Sequence, residues 1–389
     1  MDFGALLRFA VERDASDVHV QAGMRPMLRL GGVLRPADVP PVSDELLHQF
    51  VRAIAPSRFH DGLDDRITAG LDFSYQLPGS SRFRCSAYRQ LGTVGVSMRV
   101  IKNKIRTVAE LKLPPVISEI ALARHGLTLV TGTTGSGKST TLAAMIDLIN
   151  QTRPAKIICI EDPVEYLHTP KQALIAQLEI GADTPSFEQA LRQSLRQDPD
   201  VILVGELRDV DTLRVALRAA DTGHQVFSTV HSASAPQTVE RIIAMFPPAE
   251  QKLLLTQLAN NLEAIISQRL VACGDGSRRP AVEVLRGGPV VARFILENKA
   301  VELAEYMKHG GAGQQTFDQH LLALYQQGCV SKEEVLHNAS HREAISVALR
   351  GIGVKTPTPR TPAPPPVASP NDDSGESFDS DLPEPIGLK

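Results

Sequence analysis

Residues 132–140, GTTGSGKST, constrain this chain more than any other segment. Gly132, Gly137, Lys138 and Ser139 satisfy G-x-x-x-x-G-K-[ST], with the apolar run LTLV before them and the helix-compatible TLAAMIDLIN after them. A strand, a glycine-rich turn and a helix in that order gather backbone N–H groups and the positive end of a helix dipole around an anion. The candidate nucleotide-binding residues are therefore Gly132, Thr133, Thr134, Gly135, Ser136, Gly137, Lys138, Ser139 and Thr140. The glycines let the backbone turn inward, Lys138 reaches the β- and γ-phosphates, and Ser139 ligates Mg²⁺, so ATP and Mg²⁺ are the expected substrate and cofactor.

Hydrolysis further needs acidic groups beside the phosphates, and these belong at the carboxyl ends of neighbouring strands. In DPDVILVGELRD the apolar run VILV leads to Gly205-Glu206, making Glu206 the candidate catalytic carboxylate and a second candidate Mg²⁺ contact. A second acidic cluster, IEDPVEY, follows the run KIICI and offers Glu161, Asp162 and Glu165, although Asp162-Pro163 also suits a simple turn. In GHQVFSTVHS, His224 and His231 bracket another apolar run. Seven positions of strand set them about 23 Å apart on opposite faces, so they cannot share a metal and must have separate roles.

The runs LTLV, KIICI, VILVG and QVFSTV, each followed by a helix-compatible segment, predict a parallel sheet covered on both faces by helices. Before residue 101 the pattern differs. Phe3, Leu6, Leu7 and Ala10 fall at helical spacing, MLRLGGVL reads as a hairpin turning at Gly31-Gly32, and a helix is expected near residues 43–54. DFSYQL, RFRCSAY and VGVSMRVI then alternate apolar and polar positions. This is an antiparallel α+β domain over residues 1–100, and the alternation turns Phe83, Cys85, Met98 and Val100 inward and Arg82, Arg84 and Arg99 outward. Residues 101–115 read as a linker closed by Pro114-Pro115, residues 116–352 as the α/β domain, and residues 353–389, Pro-rich and then acidic, as a disordered tail.

With 389 residues, 42% of them hydrophobic, the chain can bury more than one core. A net charge of -3 gives no footprint for generic nucleic-acid binding. Cys85, Cys159, Cys273 and Cys329 are widely spaced without a CxxC pair, which argues against a zinc site or a disulfide framework and suits a reducing cytoplasm. No apolar run approaches the roughly 18 residues that span a bilayer and the start lacks a secretion signal, so membrane association is expected only through a partner.

Taken in order, GTTGSGKST, IEDPVEY, DPDVILVGELRD and TGHQVFSTVHS resemble the Walker A, Asp box, atypical Walker B and His box of the secretion and pilus ATPases. The likeness is greatest to the PilT-like twitching-motility (retraction) ATPases. It extends over about 350 residues and includes SDVHVQAGMRPMLRLGGVL, RFRCSAYRQ and QTFDQHLLALYQQGCVSKEEVL. The resemblance implies a homo-hexameric ring of subunits, each with a PAS-like N-terminal domain and a RecA-like ATPase domain holding ATP between them. It implies a cytoplasmic motor at the inner membrane, acting on a membrane-embedded pilus platform protein. It casts Glu206 as the catalytic glutamate, Glu161, Asp162 and Glu165 as Asp-box carboxylates, and His224 and His231 as sensors. Arg82, Arg84 and Arg99 become arginines that approach the γ-phosphate from the first domain. The scattered cysteines lack the four-cysteine zinc motif of assembly-type relatives, which favours the retraction branch. VARFI, residues 291–295, stands where retraction members carry AIRNL and keeps only the arginine, Arg293. An accessory retraction motor, an assembly or type II secretion ATPase, and a nucleic-acid translocase are the alternatives.

Overall fold

The computed structural model describes residues 2–101, 104–309, 311 and 313–351. The tail expected at 353–389 lies outside the described residues. Contacts divide the chain into two compact units between residues 103 and 104.

The first unit begins with helix α1 (Phe3–Glu12), capped by the Asp2 carboxylate on Ala5 N–H. Strands β1 (Asp17–Gln21), β2 (Met27–Leu30) and β3 (Val33–Pro36) precede helices α2 (Asp44–Ile54) and α3 (Leu63–Ala69). Strands β4 (Leu71–Gln76), β5 (Arg82–Gln90) and β6 (Thr93–Val100) complete an antiparallel sheet in the order β3-β2-β1-β6-β5-β4. One face carries the apolar core, because alternate residues of each strand point the same way. Val18, Leu28, Phe83, Cys85 and Met98 are buried there with Leu6 and Leu7 of α1 and Leu47 and Val51 of α2.

On the other face the register aligns charges. Arg29 stands opposite Asp17, Asp17 opposite Arg99, and Arg99 opposite Arg84. The nearly buried Asp17 carboxylate accepts a 2.9 Å bond from Arg99 Nε and lies 3.6 Å from Arg29 Nε. Burial pulls the Asp17 carboxyl upward, but its hydrogen bonds to Arg99 and Ser16 outweigh that and hold it below the usual range.

The second unit opens on residues 104–115, whose Val108 and Leu113 are buried with Ile117 and Ile120 of helix α4 (Val116–Ala121). There follow β7 (Gly126–Thr131), α5 (Lys138–Thr152), β8 (Lys156–Glu161), β9 (Leu174–Glu179), α6 (Phe187–Ser194) and β10 (Val201–Val204). Next come α7 (Val210–Asp221), β11 (Gln225–Val230), α8 (Ala235–Met245), α9 (Pro248–Asn261), β12 (Leu262–Ala272) and β13 (Arg278–Arg286). Helices α10 (Pro289–Leu296), α11 (Ala300–His309), α12 (Phe317–Gln326), α13 (Lys332–Asn338) and α14 (Arg342–Arg350) end the described chain.

The sheet order is β13-β12-β7-β11-β10-β8-β9, parallel from β12 through β9, with β13 antiparallel at the edge. β7, β10 and β11 are buried at every position. Alternate residues serve two different cores: Leu127, Leu129, Ile158, Ile202 and Val226 on one side, and Val130, Ile157, Cys159, Leu203 and Phe227 on the other. A sheet covered on both faces exposes functional groups only at its ends, and the parallel arrangement brings all the carboxyl ends to one side.

Candidate functional site

Four of those ends converge. β7 runs into the glycine-rich loop, β8 ends at Glu161, β10 at Gly205-Glu206, and β11 leads to His231. They bound a cavity of about 570 Å³ lined by Thr134, Gly135, Gly137, Lys138, Ser139, Thr140, Glu161, Asp162, Glu165, Glu206 and His231, and also by Arg208, Phe187, Thr229 and Leu270.

The loop's shape follows from its glycines. Gly132 has φ +143°, and a Cβ there would lie 2.4 Å from the Gln268 carbonyl oxygen of β12 and 2.5 Å from Ser136 Oγ. Gly137, with φ +93°, caps the N-terminus of α5, and a Cβ there would meet Gln268 Nε2 at 2.8 Å. A side chain at either position would be both strained and obstructed. Gln268 also accepts a 2.8 Å bond from Thr141 Oγ1, so β12 clamps the start of α5.

Lys138 is buried, and its ammonium donates to the carbonyls of Gly132 (3.1 Å) and Thr133 (3.0 Å). Burial lowers its pKa, opposed by the charges of Glu165 and Glu206. Lys138 opens α5, whose N-terminus carries no side-chain cap, and a helix start with uncapped N–H groups beside an ammonium is a ready site for a polyphosphate.

Opposite the loop, the Glu206 carboxylate pairs with Arg208 and lies 3.9 Å from His231 Nε2. Burial first, then the Lys138 charge, lowers the His231 pKa, so the ring is neutral at pH 7. Its backbone carbonyl accepts from Arg241 Nη1 at 2.6 Å, which ties this position to α8. Glu161 accepts from Gln177 Nε2 at 3.2 Å, and burial raises its pKa to about 7. Thr140 Oγ1 and Tyr166 Oη share a 2.7 Å hydrogen bond, fastening the Asp-box segment to α5. His224 stands at the amino end of β11, away from this cavity, and its Nδ1 lies 2.9 Å from the Ala219 carbonyl. Arg82, Arg84 and Arg99 belong to the first unit's sheet.

Among the described residues no cluster of three or more His, Cys, Asp or Glu side chains is arranged to hold a metal alone. The oxygen donors at the cavity, Ser139 and Glu206 with Asp162 and Glu165 nearby, are hard ligands of the kind Mg²⁺ takes. They fit a cation that shares its coordination with substrate phosphates and water rather than a dedicated protein cage.

Sequence reasoning did not single out Arg208, Gln268, Tyr166 or Leu270. Arg208 sits in GELRD beside Glu206, where its spacing was a usable signal. Gln268 and Leu270 lie more than a hundred residues beyond the loop and are brought to it only by the pairing of β12 with β7.

A P-loop at the head of a parallel sheet, facing acidic strand ends, defines a P-loop ATPase. The chain belongs to the type II/IV secretion system protein family, whose model matches residues 3–351. It is 40% identical over 340 residues to the type IV pilus retraction ATPase PilT of Pseudomonas aeruginosa, covering 87% of this chain and 98% of that one. It is also 40% identical over 344 residues to a twitching motility protein of Neisseria gonorrhoeae, covering 88% of this chain and 91% of that one. A crystal structure of the pilus retraction motor PilT with bound ADP superposes with a TM-score of 0.83 at 37% identity, over 89% of this chain and 99% of that one. The fold is accordingly a RecA-like ATPase domain preceded by a smaller α+β, PAS-like domain. Among the described residues no helix is long and apolar enough to cross a membrane.

Proposed function

We propose that this chain is the ATP-driven motor of type IV pilus retraction. The observation that carries this reading is its nearly full-length match to a pilus retraction ATPase, with the P-loop, Glu206 and His231 meeting in one cavity. Gly132, Thr133, Thr134, Gly135, Ser136, Gly137 and Thr140 shape the phosphate cradle, Lys138 neutralises the β- and γ-phosphates, and Ser139 and Glu206 hold Mg²⁺. The cation supplies charge neutralisation on the triphosphate. Glu206 orients the attacking water and takes its proton. Neutral His231, within reach of Glu206, reads the presence of the γ-phosphate, while Glu161, Asp162 and Glu165 fix the far wall. His224 acts from the other end of β11.

Arg82, Arg84 and Arg99 complete the site from an N-terminal domain, residues 1–100, in a homo-hexamer. Hydrolysis then changes the angle between that domain and the ATPase domain, residues 116–352, across the linker 101–115. Anchoring of Val108 and Leu113 in the second unit's core supports this transmission. The ring works at the cytoplasmic face of the inner membrane on a platform protein, touches the membrane only through it, and binds no nucleic acid.

The test is a deletion strain without a second retraction motor. Pili are expected to extend and not retract, and complementation with Glu206→Gln is expected to fail although the purified variant still binds ATP. Normal retraction overturns the proposal. The change at residues 291–295, where Arg293 stacks on Phe294 in α10, favours a second reading as an accessory retraction motor. Loss of surface pili on deletion instead indicates an assembly motor, and DNA-stimulated hydrolysis a translocase.

A further inference from the structure

Cys273 and Cys329 are separated by more than fifty residues, yet the fold sets them side by side. Cys273 follows the end of β12, and Cys329 lies between α12 and α13. The backbone N–H of Gly274 donates to the Cys329 carbonyl at 3.3 Å, so the two chain segments touch at these positions. Both side chains pack against the same apolar cluster, built on Phe317, Leu321, Leu324 and Val335. Both are free thiols at half-buried positions, whereas Cys85 and Cys159 are sealed in the two cores. The surroundings also differ between the two sulfurs. Arg279 Nη1 lies 2.8 Å from Cys329 Sγ, which puts a permanent cation in contact with that sulfur. Burial raises the Cys273 pKa above the ordinary thiol value.

We infer that Cys273 and Cys329 form a redox-reactive dithiol whose substrate is a peroxide and whose product is a reversible intramolecular disulfide. A cation against a partly exposed thiol marks the attacking cysteine, and an adjacent protonated thiol the resolving one. The Cys329 sulfur attacks one peroxide oxygen, and its thiol proton passes to the oxygen that departs. The O–O bond breaks, the sulfur gives up two electrons and becomes a sulfenic acid, and the departing oxygen leaves as water or an alcohol. Cys273 Sγ then attacks the sulfenic sulfur. The S–S bond forms, the S–O bond breaks, and the hydroxide leaves as water with the Cys273 proton. Two thiols and one hydrogen peroxide thus yield one disulfide and two waters. A small dithiol reductant reverses it by exchange. In a reducing compartment such a bond is transient, which is the usual role of a disulfide there.

The test uses the purified full-length chain, freed of reductant and treated with one equivalent of hydrogen peroxide. Two free thiols are expected to disappear, peptides carrying Cys273 and Cys329 to be recovered joined within a single chain, and dithiothreitol to restore both. Cys273→Ser is expected to stop at a sulfenic acid on Cys329, trapped by dimedone. Arg279→Gln should slow thiol loss about tenfold. Persistent alkylation of both thiols in the treated wild type overturns the proposal. So does a link confined to pairs of chains, or a Cys273→Ser variant that gives no dimedone adduct on Cys329.

Discussion

The two sheets put their chemistry in different places. In the second unit every central strand is buried on both faces, so Lys138, Glu161, Glu206 and His231 stand at or just beyond strand ends and meet in one cavity. In the first unit the face opposite the core carries charge across the sheet as a row, Arg29-Asp17-Arg99-Arg84. Strand ends concentrate groups at a point where they can surround a small substrate. A sheet face spreads them along a line about 4.8 Å per strand, which suits presenting cations to something outside the unit. Substitutions at the strand ends should therefore act on binding and hydrolysis, whereas those on the sheet face should leave the ATPase domain's own pocket intact.

The sharpest way to break the comparison is Lys138→Ala. Removing the buried ammonium should lower ATP hydrolysis by about 10³-fold or more, equivalent to about 4 kcal/mol, with loss of nucleotide binding by calorimetry. Retained turnover would mean that the strand-end cavity is not where the phosphates sit.

Next in size is Glu161→Gln, read by pH rather than by rate. The Glu161 carboxyl has a folded-state pKa of about 7 against an ordinary 4.5, so the folded chain binds a proton that the unfolded chain releases between those values. Wild-type stability should therefore fall relative to Glu161→Gln as pH rises from about 4.5 to 7 and run parallel above and below that window. The full difference is on the order of 3 kcal/mol. Urea unfolding of both proteins at several pH values measures it, and parallel curves throughout would place the Glu161 carboxylate in a well-solvated setting.

Arg208→Ala should have a smaller effect, lowering kcat/KM for ATP about tenfold because Glu206 loses the guanidinium that orients it. Steady-state kinetics at unchanged stability would show this, and an unaltered kcat/KM would make the ion pair incidental. Smallest is Arg99→Ala. Its side chain is 69% exposed despite the bond to Asp17, so the variant should lose less than about 1 kcal/mol in chemical denaturation. A larger loss would show that the charge row holds the first sheet together, and would blur the distinction between the two sheets.

Much of this was legible in the sequence because the informative patterns are local. GTTGSGKST between an apolar strand and a helix requires the loop that the structure shows, and the unbroken runs VILV and KIICI announce strands covered on both faces. The alternation that sends Phe83 and Cys85 inward and Arg84 outward follows from the period of a strand. The seven-residue spacing of His224 and His231 placed them at opposite ends of β11, and only His231 reaches the cavity. What escaped was set by long-range pairing. Nothing near Gln268 announces that its carbonyl and amide border Gly132 and Gly137, because that contact exists only once β12 lies beside β7. The same is true of Cys273 and Cys329, which look unrelated along the chain and meet across its C-terminal cluster.

The class of chemistry could be read from the order of residues alone. A phosphate loop needs particular residues at fixed, short spacing, and such spacing survives in one dimension. The choice of His231 over His224, and the arrival of Arg208, Gln268 and Leu270 beside that loop, came from the fold alone. Their proximity is set by strand order and by buried packing, which join segments a hundred residues apart and leave no mark on the sequence between them.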